Sequence, residues 1–411
     1  MPADLAVLGL EHLGLPAARA ATAAGIHTVG FTPDQRAAAD LNAGRPPAEG
    51  FLTTPELRRM LARGFSATSD PAELARVRTA LICTPVPVDA AGEQDLRGMT
   101  DAARALAPRL GPRALVVLES TVCPGTTRDV LRPMLEEGSG LRAGRDFHLA
   151  SAPGRAGPAG RGARVIGGLT PTCTEAAAAF YGRLTDKVVR ARGVAEAEAA
   201  QVLRTNATQV TTALVNEMAM LCHDLGIDLW DVLRCAEARP WPSPWPSGDG
   251  TVPRPGLGPG GPGGPLDPGG RLRLVGVARD INARMPGYVT RRSAALLNEY
   301  GKSARGAHVL LLGVTGQPDS PDQAGSPARE IAARLLELGA RVSFHDPYVP
   351  RWRVAGREVP PAVALYEAAS TADLTLLLQH HSVYDLQGLA AKAQLLLDTR
   401  GATPAGAAHR L

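Results

Sequence analysis

Lysine is almost absent from this 411-residue chain: of 44 basic residues only Lys187, Lys302 and Lys392 are lysines. The arginines are scattered and aromatic residues make up only 4%. With no basic stripe interleaved with aromatics, nucleic-acid binding is not expected. No run of about 18 consecutive apolar residues occurs, which argues against a membrane-spanning helix. The opening MPADLAVLGL lacks a basic stretch ahead of its apolar residues. A cleaved signal peptide is therefore not expected, and a cytoplasmic location is. The cysteines (Cys83, Cys123, Cys173, Cys222 and Cys235) are odd in number, widely spaced and form no CxxC pair. Neither a disulfide framework nor a structural zinc site is expected from them.

What remains is an ordinary globular composition, 45% hydrophobic and 20% charged with a net charge of +4, long enough for two or three domains. DLAVLG (4–9) reads as a buried strand, followed by a glycine-bearing turn, an alanine-rich helix over 15–24 and the strand HTVGF (27–31). Helix 55–63, strand 79–84, helix 95–110 and strand 114–121 continue the alternation, which predicts a parallel, doubly wound sheet. Residues 195–225 hold apolar residues at helical spacing without glycine or proline, and Gly226 stops them. A helix of that length suits a domain junction or a dimer interface. The stretch 240–270 is too rich in proline and glycine for regular structure. A second α/β block follows, with strands at 308–314, 340–347, 374–379 and 393–399 and a helix over 327–339. The expected organisation is a Rossmann-type domain over 1–194, a helical and dimerising middle over 195–300, and a Rossmann-like domain over 301–411.

The order of motifs resembles the nucleotide-sugar 6-dehydrogenases, nearest the branch that oxidises UDP-N-acetylhexosamines. It rests on VLGLEHLGLP (7–16), ICTPVP (82–87), LESTVCPGTT (118–127), SGLRAGRDFHLA (139–150), ALVNEMAMLCHDLGIDLWDV (213–232), INARMPGYV (281–289), HDPYVP (345–350) and DTR (398–400). The resemblance implies an α/β fold with two Rossmann-like domains joined by a long helix, NAD as cofactor, a nucleotide sugar (a UDP-sugar) as substrate and a homodimer. It also implies a reaction: oxidation of the sugar C6 alcohol to a carboxylate with two NAD reduced, through an aldehyde captured by a cysteine thiol. Residue by residue it implies cofactor contacts at Gly9, Gly14, Thr84 and Thr121. It implies substrate contacts at Arg155, Asn216, Gly260, Gly261 and Arg273, and catalytic roles for Thr121 and Asp267.

The chain departs from that pattern where the chemistry resides. The middle glycine of G-x-G-x-x-G is Glu11, whose bulk and charge oppose a diphosphate. Thr32 stands where an acid meets the ribose hydroxyls; Asp34 follows a proline, and Arg36 leaves room for a 2′-phosphate. The nucleophilic cysteine position is Gly263, which has no side chain to attack with. The lysine and asparagine of K-L-x-x-N are Gln201 and Thr205, and the S-P-E-R loop reads Ala152-Pro153-Gly154-Arg155. In the C-terminal signature Gln317 and Ala324 replace two cations while Asp322 remains. Trp241–Trp245 stands where the family has an aromatic loop near the sugar. Cys123, two residues from Thr121, reads as a buried cysteine rather than a relocated nucleophile.

The expectation is a divergent homologue unable to run the thiol-dependent four-electron oxidation, a pseudoenzyme or scaffold. Alternatives are a single hydride transfer or epimerisation on a nucleotide sugar with NAD(P), the family reaction itself, or a heterodimer with an active paralogue.

Overall fold

The computed structural model describes residues 4–11, 13–47, 52–75, 77–88, 94–154, 163–237, 273–323, 325–404 and 406–411. Two compact units emerge, one up to Thr205 and one from Asn206 onward.

The first unit holds eight strands: β1 (Leu5–Leu8), β2 (Thr28–Phe31), β3 (Phe65–Thr68), β4 (Thr79–Ile82), β5 (Leu115–Leu118), β6 (His148–Ser151), β7 (Ala163–Gly168) and β8 (Lys187–Arg190). Their order is β3-β2-β1-β4-β5-β6-β7-β8. β1, β2, β4 and β5 are buried along their whole length, as expected for parallel strands covered on both faces. Helices α1 (Gly14–Ala23), α2 (Gln35–Asn42), α3 (Thr54–Ala62), α4 (Arg97–Leu106), α5 (Arg132–Ser139) and α6 (Pro171–Tyr181) complete the unit. α1 and α6 contribute to the core on one face, α4 and α5 to that on the other.

The sheet is parallel as expected from β3 through β6; β7 then pairs antiparallel with β6, and β8 parallel with β7. The strand order reverses between β1 and β4, the switch point where a ligand crevice forms in open α/β sheets.

Helix α7 (Val194–Leu225) follows, and the boundary between units falls within it. The second unit contains α8 (Leu229–Glu237), α9 (Arg273–Glu299), β9 (His308–Leu312), α10 (Ala328–Glu337), β10 (Arg341–His345), the hairpin β11 (Trp352–Val354) and β12 (Arg357–Val359), α11 (Leu365–Thr371), β13 (Leu374–Leu377), α12 (Leu386–Lys392), β14 (Leu396–Asp398) and β15 (His409–Arg410). Its parallel sheet runs β10-β9-β13-β14-β15. Within this unit Asn216 of α7 and Asn282 of α9 form a buried amide pair (Nδ2 to Oδ1, 2.8 Å), and Asn282 Nδ2 lies 3.1 Å from both the carbonyl and Oε1 of Gln209. Among the described residues no helix is long and apolar enough to cross a membrane.

Candidate functional site

At the switch point of the first unit, β1 is followed by Gly9, which has φ +92°. A Cβ at Gly9 would lie 2.9 Å from the backbone N and Cα of Thr84, just past β4. A Cβ at Gly14 would lie 1.8 Å from the Gly9 carbonyl oxygen, so α1 sits directly on the turn. The outer glycines are thus fixed by packing. Glu11, at the middle position, is exposed. Beside the turn, the Thr84 hydroxyl is buried and has no hydrogen-bond partner among the described residues. A glycine turn opening a helix, beside a hydroxyl without a partner, fits the phosphate end of a dinucleotide. Gly9, Gly14 and Thr84 are the residues that would hold it.

The loop after β5 is tied to that after β4: Ser120 Oγ donates to the Thr84 carbonyl (2.7 Å). Gln94 Nε2 donates to the Thr121 carbonyl (3.2 Å), and Gln94 Oε1 accepts from Cys123 N (2.8 Å). Thr121 is therefore placed beside Thr84's loop, half-buried. The following turn is held from α7. Glu198 is fully buried and accepts from Gly125 N (2.6 Å), Thr127 N (3.0 Å) and the Thr127 hydroxyl (2.5 Å). Burial raises the Glu198 pKa above the ordinary 4.5. Folding then favours its protonated form, so its contribution is fullest below 4.5 and declines as pH rises through the raised value. Glu198→Gln is expected to cost about 1–3 kcal/mol at pH 4–5, since its NH2 must face one of these donors, where a protonated carboxyl still offers an oxygen lone pair on either side. The deficit should shrink toward pH 8; paired urea titrations across that range test it, and a deficit growing with pH contradicts it.

Further along α7, Gln201 Nε2 lies 3.4 Å from Thr205 Oγ1. A Cβ at Gly154 would lie 2.9 Å from Gln201 Oε1. Three positions matching family site residues thus meet, carrying an amide, a hydroxyl and no side chain. Beneath them lies a buried charge cluster. Arg164 Nη2 is 2.9 Å from Glu119 Oε1, both side chains being nearly inaccessible. The Tyr181 hydroxyl donates to the same Glu119 oxygen, and Arg164 Nη1 donates to the Gly154 carbonyl. The guanidinium lies 5.2 Å from the centroid of the Tyr181 ring, and the Cys83 thiol lies 3.6 Å from Glu119 Oε2. Burial, then the Glu119 charge, pushes the Cys83 thiol and the Tyr181 phenol well above their usual ranges. A narrow cavity separates this cluster from Leu13, Pro16, Ala17 and Ala20.

In the second unit a polar network gathers at the carboxyl ends of β9, β10 and β13. His381 is fully buried: its Nδ1 accepts from Asp319 N (2.9 Å) and its Nε2 faces Asp346 Oδ2 (3.1 Å). Asp346 also accepts from Val314 N and Tyr348 N (2.8 and 2.9 Å). Asp322 is buried in the loop between β9 and α10.

Sequence comparison decides the ancestry of this arrangement. The NAD binding domain of the UDP-glucose/GDP-mannose dehydrogenase family matches residues 3–185, its central domain 195–285 and its UDP binding domain 310–405. The chain belongs to that family. It is 29% identical over 364 residues to the UDP-N-acetyl-D-mannosamine dehydrogenase of Pyrococcus horikoshii, covering 84% of each chain. To the enzyme of that name from Escherichia coli K12 it is 27% identical over 97% of its own length and 99% of the other's. These likenesses lie on the hexosamine branch. A solved UDP-D-ManNAc dehydrogenase structure from P. horikoshii superposes with a TM-score of 0.82 at 24% identity, covering 98% of this chain and 97% of that one, which shows the shared fold.

Within the family frame, Gly9, Gly14, Thr84 and Thr121 come together at the first unit's switch point. Asn216 instead lies fully buried in the α7–α9 amide network, with no exposed surface in the single chain. Arg155, Gly260, Gly261, Gly263, Asp267 and Trp241–Trp245 lie outside the described residues. Arg273 opens helix α9. Sequence reading missed Arg164 and Tyr181 as partners of Glu119, and missed Glu198. Only Glu119 carried a local signal, by lying inside a recognised motif, LESTVCPGTT (118–127).

Proposed function

We propose that this member of the family binds a nucleotide sugar but does not carry out the thiol-dependent, four-electron oxidation of a UDP-sugar to the uronate. The observation that carries the reading is the Gln201–Thr205–Gly154 grouping. In the family pattern these positions supply a cation, an amide and a carboxylate. Here Gln201 and Thr205 interact with each other, and neither brings positive charge to a developing alkoxide. Gly154 has φ +92°, so a glutamate there would be strained. Gly263 adds the loss of the thiol itself, without which an aldehyde has no covalent acceptor.

The UDP binding domain supports a nucleotide sugar as ligand of the second unit. Leu214, Leu221 and Leu225 are exposed along α7, which supports a homodimer through that helix, or a mixed dimer with a cysteine-bearing paralogue. A second reading, a single hydride transfer or epimerisation on a nucleotide sugar, is favoured by the glycine turn and by the buried Thr84 hydroxyl, which has no partner among the described residues. One hydride passing from a sugar alcohol to a nicotinamide needs no thiol.

The deciding experiment incubates the purified chain with UDP-N-acetylmannosamine or UDP-N-acetylglucosamine and either NAD or NADP, following cofactor reduction and product mass. The expected result is no uronate. One reduced cofactor per sugar with a carbonyl product, or an epimer, selects the second reading. Uronate formed with two cofactors reduced overturns the proposal.

A further inference from the structure

We propose that the end of β2 selects a dinucleotide carrying a 2′-phosphate, NADP(H), over NAD(H), and that Arg36 makes the selection. The inference rests on the reading that the first unit keeps a dinucleotide cradle; it does not depend on what chemistry follows.

A ribose 2′-hydroxyl is recognised by an acceptor at this strand end, a 2′-phosphate by donors. The residue after β2 is Thr32, not an acid. Its Oγ1 accepts from Asp34 N (3.4 Å), which leaves its O–H to donate. Thr68, paired with Phe31 in the neighbouring strand, is arranged alike: its Oγ1 accepts from Asp70 N (3.0 Å). The two carboxylates that follow these strands are engaged by backbone. Asp34 Oδ1 accepts from Arg36 N (2.8 Å) and Ala37 N (3.2 Å) to cap α2, and Asp70 Oδ1 accepts from Ala72 N (2.8 Å). Of the nearby arginines, Arg45 pairs with Asp40 and Arg19 with Glu56. Arg36 is exposed, and no described residue forms an ion pair or hydrogen bond with its side chain. A planar guanidinium with all its N–H groups available suits a phosphate far better than a hydroxyl.

Glu11 does not bear on this choice. It stands at the pyrophosphate position, which both cofactors share, so it weakens both alike. Preference is set at the ribose end.

Calorimetry on the full chain at fixed ionic strength tests this with NADPH against NADH, and with adenosine 2′,5′-bisphosphate against AMP. The fragments lack the pyrophosphate and so bypass Glu11. The expected result is binding of the 2′-phosphorylated member of each pair tighter by about tenfold or more. Arg36→Ala should bring each pair within about threefold, and Arg36→Lys should retain part of the difference. Equal or tighter binding of NADH and AMP, a preference that survives Arg36→Ala, or no binding of any of the four overturns the proposal. Uronate formed with NADP in the product assay would overturn the proposed function and leave this one standing.

Discussion

Arg164→Ala is expected to destabilise the first unit by about 3–5 kcal/mol, because it leaves the buried Glu119 carboxylate without its counter-charge. Both side chains are almost wholly shielded from water, so solvent cannot replace the guanidinium. The substitution also removes a donor from the Gly154 carbonyl and the cation from the face of the Tyr181 ring, and it enlarges the cavity beneath α1. The double variant Glu119→Gln with Arg164→Met should recover much of the loss, since it removes both charges and keeps most of the volume. Tryptophan fluorescence is the wrong probe here, as the tryptophans among the described residues, Trp230 and Trp352, belong to the second unit. Urea-dependent hydrogen exchange of peptides covering β4–β6 reads the first unit directly. A single-variant loss below about 1 kcal/mol would show that the pair is structurally dispensable.

The second large effect is Gly14→Val, expected to cost at least about 3 kcal/mol. The atom it strikes is a backbone oxygen, which cannot rotate away as a side chain does. The collision begins at Cβ, 1.8 Å from the Gly9 carbonyl, so α1 must lift off β1 and expose Leu15 and Ala18, both fully buried. Glu11→Ala, three positions earlier, should change stability by less than about 1 kcal/mol, because residue 11 is on the surface. The same exchange measurement on β1 and β2 compares the two. Equal losses at positions 11 and 14 would contradict the packing account.

The parts of this fold legible in the sequence were those whose burial is one-dimensional. LAVL, TALI and LVVL are apolar along their whole length and announce covered parallel strands. α7 announced itself by length and spacing. β8 did not: KVVR is mostly exposed and short, and carries neither alternation nor a full apolar run. The antiparallel entry of β7 was equally silent, because direction is set by the connection and not by the strand's own residues. The site divides similarly. The glycine turn and the threonines lie in contiguous motifs. The Glu119 cluster joins residues 36, 45 and 62 positions away from it, and a single sequence contains no record of such a pairing. Glu198 reads as a surface charge in an alanine-rich helix until the turn at Gly125 closes over it.

The glycine turn has one consequence for how such chains change over time. Two of its three positions are held by the fold: Gly9 against Thr84, and Gly14 against Gly9. The third, residue 11, is exposed, so its side chain meets no comparable packing limit. A lineage can therefore rewrite residue 11 at little expense to folding compared with residues 9 and 14, and the same scaffold stays available for reassignment from one ligand to another, a single codon at a time.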